Sequence, residues 1–409
     1  MVQTIPAPPA PPAPAALPPL ADAVGRIDSS TIRDLLAVAE RPDVVSLAGG
    51  RPTPDAFPID ALREATDAVL ARDGATALQY SRTEGDGDLR AWHAARLGTT
   101  PDRVTITSGS QQGLDLVARA LVNPGDVVVS ADPGYVGATQ AFRLAGAELA
   151  GVPSDEDGLR VDVLADRLAA GLRPVAAYLV PDLSNPTGAT LSEERRAALA
   201  GLADRYGFWL VEDDPYGALR WAGTAPAPLR ERSDRLVSLG TMSKVLCPGL
   251  RVAHVMAPPA LTAAIVLLKQ AVDLHTSTLA QRVVLELVTR PGFLAAQLAG
   301  LPDRYRARAT AMTAALRRHL GERARFAEPE GGMFVWARLT GAGDAGGGGG
   351  DPDAAALLPA AVAAGVAYVP GEAFAVDERH RDRLRLSFAT PSPAEIEEGI
   401  RRLATVLGG

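Results

Sequence analysis

The sequence predicts an α/β fold, in which a mostly parallel central sheet forms a large domain beside a smaller α+β domain. Short β-branched runs alternate with amphipathic helical segments from about residue 100. After a long helical segment that begins near residue 302, the order of elements changes to mixed strands and helices. The chain has 409 residues, of which 47% are apolar and 22% charged, a composition typical of globular proteins with a large core.

Six β-branched runs in the large domain are predicted strands, and two amphipathic segments between them are predicted helices. The strands are residues 104–107, 127–130, 175–180, 208–212, 236–239 and 252–256, and the helices are residues 111–121 and 192–206. Strand, helix and strand in succession indicate parallel strands covered by helices. Such sheets bind ligands beyond the carboxyl ends of their strands.

The chain is predicted to divide into a tail, a large domain and a small domain. Residues 1–25 are a predicted disordered tail, because eight of the first twenty residues are proline. Residues 26–60 are predicted to be the N-terminal segment of the small domain, 61–300 the large domain and 301–409 the C-terminal part of the small domain.

The elements predicted for the small domain are helices at residues 302–320, 353–364 and 393–407 and strands at 332–339 and 384–388. The glycine-rich run at residues 341–351 is a predicted flexible surface loop.

Charge and composition exclude several classes of function. A formal net charge of -7 argues against binding to nucleic acid. The best apolar run, residues 261–268, is too short to cross a membrane. One cysteine, Cys247, and five scattered histidines offer neither an internal disulfide nor a metal site. A cytoplasmic protein with a small-molecule ligand is therefore expected.

Four of the predicted strands end in polar clusters. Residues 108–113 form a glycine-containing helix start that suits a phosphate, although serine is also a common helix cap. Residues 181–188 contain turn-forming pairs, and residues 212–216 place three carboxylates directly after a strand, where they are either solvated or close to a cation. Residues 240–244 end in a lysine, with an arginine seven residues further on.

Chemistry that requires a primary amine has two candidates, because Lys244 and Lys269 are the only lysines among 41 basic residues. Lys244 lies in one of the polar clusters. Lys269 lies inside an apolar helical segment and is interpreted as a structural residue.

Taken in order, these clusters resemble the class I and II aminotransferases, which are fold type I enzymes that use pyridoxal 5'-phosphate (PLP). The resemblance extends from about residue 26 to residue 407 and is strongest with the branch of 2-aminoadipate, kynurenine and broad-range aminotransferases. It is carried by SLAGG at residues 46–50, QYS at 79–81, SGSQQG at 108–113, DPGY at 132–135, NPTG at 185–188, DDPY at 213–216, SK at 243–244 with Arg251, EGGMF at 330–334, VPG at 369–371 and RLSF at 385–388.

The resemblance implies a role for each residue that would contact the PLP ring. Lys244 would bind PLP covalently and carry the proton at the substrate Cα. Asp213 would pair with the pyridinium nitrogen, with Asp214 as its rival. Asn185 and Tyr216 would donate hydrogen bonds to the ring oxygen O3', and the ring would stack on Tyr135.

The same resemblance implies a phosphate site and a homodimer. The groups expected to bind the phosphate are Ser110, Gln111, Thr241, Ser243 and Arg251. Tyr80 would reach the active site of the neighbouring subunit.

Arg385 would bind the substrate α-carboxylate, with Asn185 and the backbone near Gly50 beside it. Alternation in residues 383–388 also places Arg385 on the polar face of its strand, although a solvated strand face has the same pattern. Arg33 and Arg51 are candidate substrate contacts. Arg51 and Arg82 stand where this branch usually has other residues, and our hypothesis is that one of them binds a second acidic group on the substrate.

The expected reaction is the transfer of an amino group between an amino acid and a 2-oxo acid, with glutamate and 2-oxoglutarate as one pair. The alternative is a specialised biosynthetic PLP enzyme that uses the same Cα carbanion for elimination, replacement, annulation or oxidation. A third alternative, a transcription factor with an aminotransferase-like domain, is disfavoured because only about 25 residues precede the resemblance.

Overall fold

A computed structural model describes residues 21–26, 41–340 and 352–408. Most of the predicted N-terminal tail, the candidate contact Arg33 and the glycine-rich run at 341–351 lie outside these ranges. Asp22–Arg26, at the end of the predicted tail, forms a short 3-10 helix.

The strands of the described chain are β1 Val45–Ser46, β2 Val104–Thr107, β3 Val127–Asp132, β4 Glu148–Asp155, β5 Gly158–Leu159, β6 Ala176–Leu179, β7 Trp209–Asp214, β8 Leu236–Thr241, β9 Ala253–Met256, β10 Ala324–Arg325, β11 Phe334–Leu339, β12 Val366–Ala367, β13 Val369–Pro370 and β14 Arg383–Ser387. The helices are α1 Ile59–Ala77, α2 Gly87–Leu97, α3 Ser110–Leu121, α4 Val136–Ala145, α5 Val161–Ala169, α6 Glu193–Tyr206, α7 Pro259–Val272, α8 Thr278–Thr289, α9 Phe293–His319, α10 Ala354–Ala363 and α11 Pro393–Val406.

The central sheet of the large domain has eight strands in the order β2-β9-β8-β7-β6-β3-β4-β5. The five strands from β8 to β4 are parallel to one another, which confirms the predicted mostly parallel sheet. β9 runs antiparallel to both β8 and β2, and β5 antiparallel to β4. After β3 the next strand, β4, is added on one side of β3, whereas β6, β7 and β8 are added on its other side. The strand order therefore reverses between β3 and β6, and a ligand-binding crevice is expected there.

Helix α3 shows how the sequence covers this sheet. Its buried side chains include Leu114, Leu116 and Val117, and they lie on the side of the helix that faces the core. Gly113 lies where the helix passes closest to the sheet, because a Cβ there would overlap the side chains of Leu239 and Val255. The first turn of α3 is thereby held at the carboxyl edge of the sheet.

The small domain is built on the antiparallel sheet β10-β11-β14-β13, and β1 pairs in parallel with β12. The pairing of β1 ties residues 45–46 to the C-terminal part of the chain. Helix α9 begins at Phe293 and includes Pro302, whereas the sequence predicted a start near Pro302. The predicted boundary between residues 300 and 301 therefore falls inside one continuous helix.

Arg196 of α6 anchors the loop that follows β6. Its side chain is fully buried, and its guanidinium donates to the carbonyl oxygens of Pro181 and Leu191 and to the Asp182 carboxylate, at 2.9–3.1 Å. Asp182 also accepts from Arg220 at 3.1 Å. A buried charge held by these acceptors fixes both ends of the 181–191 loop.

Replacing Arg196 with leucine is expected to lower the free energy of unfolding by about 3 kcal/mol, because buried acceptors would lose their donor. Chemical denaturation monitored by circular dichroism measures this change. Arg205→Leu, at an exposed position of the same helix, is the matched control and is expected to stay within about 0.5 kcal/mol of wild type. Equal losses in both variants would contradict the anchoring role.

Candidate active site

The polar clusters predicted from the sequence meet at the carboxyl edge of the central sheet. The groups come from the residues after β3, β6 and β8, from the end of β7 and from the start of α3. Arg385 reaches the same place from β14 of the small domain, where it donates to Asn185 of the β6 loop. Both domains therefore contribute to one site.

Lys244 follows β8, and its Nζ donates to the carbonyl oxygen of Gly50 at 2.9 Å. Burial, together with the positive charges of Arg385 and Arg251, lowers the pKa of Lys244 to about 8, while Asp213 acts in the opposite direction. A substantial fraction of this amine is therefore neutral near physiological pH, the form required of a nucleophile or base.

Asp213 is buried near the end of β7. One carboxylate oxygen, Oδ2, accepts from the hydroxyl of Tyr178 at 3.1 Å, and the other, Oδ1, has no partner among the described residues. Burial raises the pKa of Asp213 to about 7, although the Tyr178 hydrogen bond and the nearby Lys244 favour the charged form. The unpaired oxygen is available to a ligand cation.

The structure distinguishes Asp213 from its rival Asp214. Consecutive residues of a strand point to opposite faces, and Asp214 accepts from the backbone N–H of Gly217 at 2.8 Å. Asp214 also borders a cavity of about 230 Å³ lined by His93 and His254. Its carboxylate stabilises the turn after β7, whereas Asp213 faces Tyr178.

Two tyrosines lie near Asp213 and Arg385. Tyr216 is buried with its ring perpendicular to that of Phe334, at 5.9 Å between centroids. Burial raises the pKa of Tyr135 to about 12, so its hydroxyl stays protonated and can donate a hydrogen bond. Both were predicted to contact the cofactor ring.

The residues predicted to bind phosphate surround the first turn of α3. The hydroxyl of Ser110 is buried and has no partner in the described chain. Gly109 precedes it with φ of 94°, and a Cβ at this position would overlap the Arg251 guanidinium. Arg251 itself donates to the carbonyl oxygen of Ser108 at 3.2 Å. Backbone N–H groups, a hydroxyl and a guanidinium thus converge at a helix N-terminus, an arrangement that favours the binding of an anion.

The other three predicted phosphate ligands have partners of their own. The Gln111 amide donates to the carbonyl oxygen of Gly137 at 2.7 Å, which directs its side chain towards α4. Thr241 donates to the Ser243 hydroxyl at 2.9 Å and accepts from the Ser243 backbone N–H at 3.1 Å. These two hydroxyls form a small turn at the end of β8.

Arg385 is a buried cation with neutral partners. Its two terminal nitrogens donate to Asn185 Oδ1 at 2.9 Å and to the carbonyl oxygen of Ala48 at 2.6 Å. Its guanidinium lies 4.3 Å from the ring centroid of Phe334 and 4.9 Å from that of Phe374. Burial lowers the pKa of Arg385 to about 10, and no carboxylate of the described residues forms an ion pair with it.

Two further predicted residues lie at the surface. Tyr80 is 79% exposed, and its ring makes an edge contact with His275. Arg51 follows Gly50 and borders a cavity of about 610 Å³ that is also lined by Glu395 and Glu398. Arg33 falls outside the described residues.

The unpaired polar atoms test whether PLP fits here. Ser110 Oγ, Asp213 Oδ1 and Arg385 Nε are buried without a partner in the described part of the chain, and such atoms are costly unless a ligand binds them. The phosphate of PLP can accept from Ser110 Oγ, and its protonated ring nitrogen can donate to Asp213 Oδ1. The carboxylate of an amino acid substrate can accept from Arg385 Nε. The residues fit the cofactor and its substrate.

Sequence reasoning missed the residues that support these groups. Tyr178 on β6 is paired with Val211 on β7, so it shares a face with Asp213 two residues further on. The feature of the sequence that could have identified Tyr178 is its hydroxyl group, since the rest of β6 is apolar. Phe374, one of the two aromatic contacts of Arg385, had no comparable signal.

Within the described ranges, no group of three or more histidine, cysteine or acidic residues could hold a metal ion. None of the helices in these ranges is both long and apolar enough to cross a membrane.

Comparison with known proteins places this geometry in a family. The model of the family described as aminotransferase class I and II matches residues 42–403. The 2-aminoadipate transaminase of Thermus thermophilus is 40% identical, over 94% of this chain and 95% of that protein. Aromatic-amino-acid aminotransferase 1 of Thermococcus litoralis is 39% identical, over 93% of this chain and 91% of that protein.

A solved structure agrees with these relatives. The α-aminoadipate aminotransferase of Thermus thermophilus, solved with N-(5'-phosphopyridoxyl)-L-leucine, superposes with a TM-score of 0.87 at 39% identity, covering 95% of this chain and 97% of that one. These matches confirm the predicted fold, branch and cofactor. The chain belongs to the class I and II aminotransferases, and it is a PLP-dependent enzyme that transfers an amino group between an amino acid and a 2-oxo acid.

Proposed function

We propose that this aminotransferase recognises the α-carboxylate of its substrates through Arg385, and that the residues around it have the roles predicted from the sequence. The observation that carries the proposal is the buried Arg385 guanidinium, which has aromatic and neutral contacts but no anionic partner among the described residues. An uncompensated buried cation is costly, and a substrate carboxylate would remove that cost.

PLP, when bound, provides an electron-accepting ring for the electrons released at the substrate Cα. The unpaired Oδ1 of Asp213 would hold a proton on the ring nitrogen by electrostatic attraction. Lys244 Nζ would take the proton from the substrate Cα, since its lowered pKa makes a neutral amine available. Tyr178 keeps the Asp213 carboxylate oriented.

The start of α3 would hold the cofactor phosphate. Ser110 and the backbone N–H groups of that turn supply hydrogen bonds, while Arg251 supplies the positive charge. Thr241 and Ser243 would complete the phosphate contacts from the end of β8, and Asn185 and Tyr216 the contacts to the ring oxygen. A cytoplasmic location stays a prediction from composition.

The substrates we propose are amino acids with long side chains, including 2-aminoadipate and aromatic amino acids, with glutamate and 2-oxoglutarate as one pair. The support is the range of names among the similar enzymes, which include aromatic-amino-acid, 2-aminoadipate and kynurenine aminotransferases. Arg51 and Arg82 are exposed at the positions where we expect a second acidic group to bind.

One of the two arginines, Arg51 or Arg82, is expected to bind the second acidic group of the substrate. Its replacement by leucine should raise KM for glutamate and 2-aminoadipate about tenfold, because one charge-assisted hydrogen bond would be lost. KM for leucine and tyrosine should stay unchanged. Steady-state kinetics of Arg51→Leu and Arg82→Leu on these four amino acids make the comparison, each variant serving as the control for the other. Unchanged kinetics in both variants would contradict the hypothesis.

We further propose that the enzyme works as a homodimer in which Tyr80 reaches the site of the partner. Exposed apolar side chains cluster around Tyr80: Leu78, Val272 and Leu274 are each at least 42% exposed. The hydrogen bond from Thr278 to the Gln79 carbonyl and the Tyr80–His275 ring contact bring the two chain segments that carry them together. Such a patch is typical of a subunit interface.

Mixing Tyr80→Ala with Lys244→Ala subunits is expected to restore activity that neither homodimer has in full. In a hybrid dimer one site would combine an intact Lys244 with an intact Tyr80 from the other subunit, giving about a quarter of the wild-type sites at random pairing. Activity after denaturation and joint refolding measures this. If Tyr80 acted within its own subunit, the mixture would show no gain over the separate variants.

The lowered pKa of Lys244 makes covalent attachment of PLP to the apoenzyme dependent on pH. Only the neutral amine reacts, so the rate should rise about tenfold per pH unit below pH 8 and level off above it. Stopped-flow absorbance from about pH 6 to about pH 10 records the profile.

Asp213→Asn is the control for this profile, because removing a charge that raises the Lys244 pKa should move the midpoint to lower pH. A wild-type rate that keeps rising up to about pH 10 without levelling off, as the ordinary value of 10.5 would give, would show that burial does not act on Lys244 as described.

A further inference from the structure

The second lysine of the chain belongs to a buried network beside the start of α3. Lys269 is fully buried in α7, and its Nζ donates to Asp273 Oδ1 at 2.6 Å. An ion pair one helical turn apart is common on exposed surfaces and worth little there. Here the ammonium has no access to water, so the pair requires another explanation.

The other carboxylate oxygen of Asp273, the residue that follows α7, contacts the 108–112 turn. Asp273 Oδ2 accepts from the Ser108 hydroxyl at 3.0 Å and from the Gln112 amide at 2.6 Å. These partners lie more than 160 residues away in sequence. The carboxylate therefore joins α7 to the first turn of α3.

Ser108 is held at each of its polar groups. Its hydroxyl donates to Asp273, its backbone N–H donates to Gln112 Oε1 at 2.8 Å, and its carbonyl oxygen accepts from Arg251 at 3.2 Å. Two residues further on, Ser110 presents the buried unpartnered hydroxyl described above. Ser108 is thus fixed two residues before this hydroxyl.

We propose that Lys269 and Asp273 position the 108–112 turn for the cofactor phosphate, an inference that rests on the proposed assignment of this turn as the phosphate site. Lys269 neutralises Asp273 from the buried side, and Asp273 uses its second oxygen to hold Ser108 and Gln112. Neither residue contacts the cofactor, so both are positioning residues. The sequence indicated that Lys269 is a structural residue. We infer that its structural role is to hold Asp273, which in turn holds the 108–112 turn.

Electrostatics agree with a charged Asp273. Burial alone would raise its pKa, but the hydrogen bonds from Lys269, Gln112 and Ser108 bring the pKa below the ordinary value. The two carboxylate oxygens of Asp273 accept from all three donors at once.

The test compares two double variants that leave no unpaired charge. Lys269→Met/Asp273→Ala removes both the ion pair and the acceptor for Ser108 and Gln112. Lys269→Met/Asp273→Asn is the matched control, because asparagine retains an acceptor oxygen of the same reach. Apo forms of both are compared with wild type by Tm before ligand binding is measured.

The readout is the dissociation constant of each apoenzyme for PLP and for pyridoxal, which lacks the phosphate. In the alanine variant PLP binding should weaken about tenfold, the equivalent of one charge-assisted hydrogen bond, while pyridoxal binding stays unchanged. The asparagine variant should bind PLP within about threefold of wild type. A loss confined to the phosphorylated ligand identifies a positioning role.

Parallel weakening of both ligands, or equal PLP binding by the two double variants, would overturn the proposal. Arg251→Ala separates this outcome from a wrong assignment of the phosphate site: wild-type PLP affinity in that variant would refute the site itself. Should the alanine variant not fold, Gln112→Met removes one link to Asp273 and is expected to weaken PLP but not pyridoxal.

Discussion

Removal of charged side chains from water is the constraint on which this active site depends. Burial raises the pKa of Asp213 to about 7 and lowers that of Lys244 to about 8 and that of Arg385 to about 10. Each shift favours the neutral form, so the fold must supply compensating dipoles. The hydroxyl of Tyr178 does so for Asp213, the Gly50 carbonyl for Lys244, and Asn185 with Ala48 for Arg385. The compensation is incomplete: among the described residues, Asp213 Oδ1 and Arg385 Nε have no partner, and a cofactor ring nitrogen and a substrate carboxylate would pair with them.

These dipoles come from both domains, so the relative position of the domains is part of the site. Arg385 of β14 contacts Asn185 of the large domain, and Asp132 at the end of β3 binds the small domain in turn. The Asp132 carboxylate accepts from the backbone N–H groups of Val376, Asp377 and Glu378 and contacts His380 at 2.7 Å. Hydrogen bonds on both sides of the crevice thus hold the Arg385 fork near the central sheet.

The sequence predicted the parallel sheet and the polar clusters because both are local patterns. Most predicted strands of the large domain agree with the structure within about two residues. The direction of β9 could not be predicted, since a β-branched run has the same composition whether it lies parallel or antiparallel. Pro302 obscured the start of α9, because a residue without an N–H is more common at a helix start than inside a helix. Tyr178 contacts Asp213 on the neighbouring strand, and Phe374 contacts Arg385 of β14. Contacts between residues so far apart in the chain follow no regular spacing in the sequence, so they could not be predicted from it.

The two lysines show why residue type alone does not determine chemistry. Lys244 has a carbonyl oxygen as its hydrogen-bond partner and two arginines in its electrostatic environment, so burial leaves its ammonium poorly compensated and its amine reactive. Lys269 is buried more completely, yet a carboxylate at 2.6 Å satisfies its charge. An amine poised for covalent chemistry needs desolvation without a contacting anion, whereas an amine that supports structure needs that anion. Because Asp273 also binds the 108–112 turn, Lys269 contributes to the site by holding Asp273 in position. Lys244 contributes through its own nitrogen.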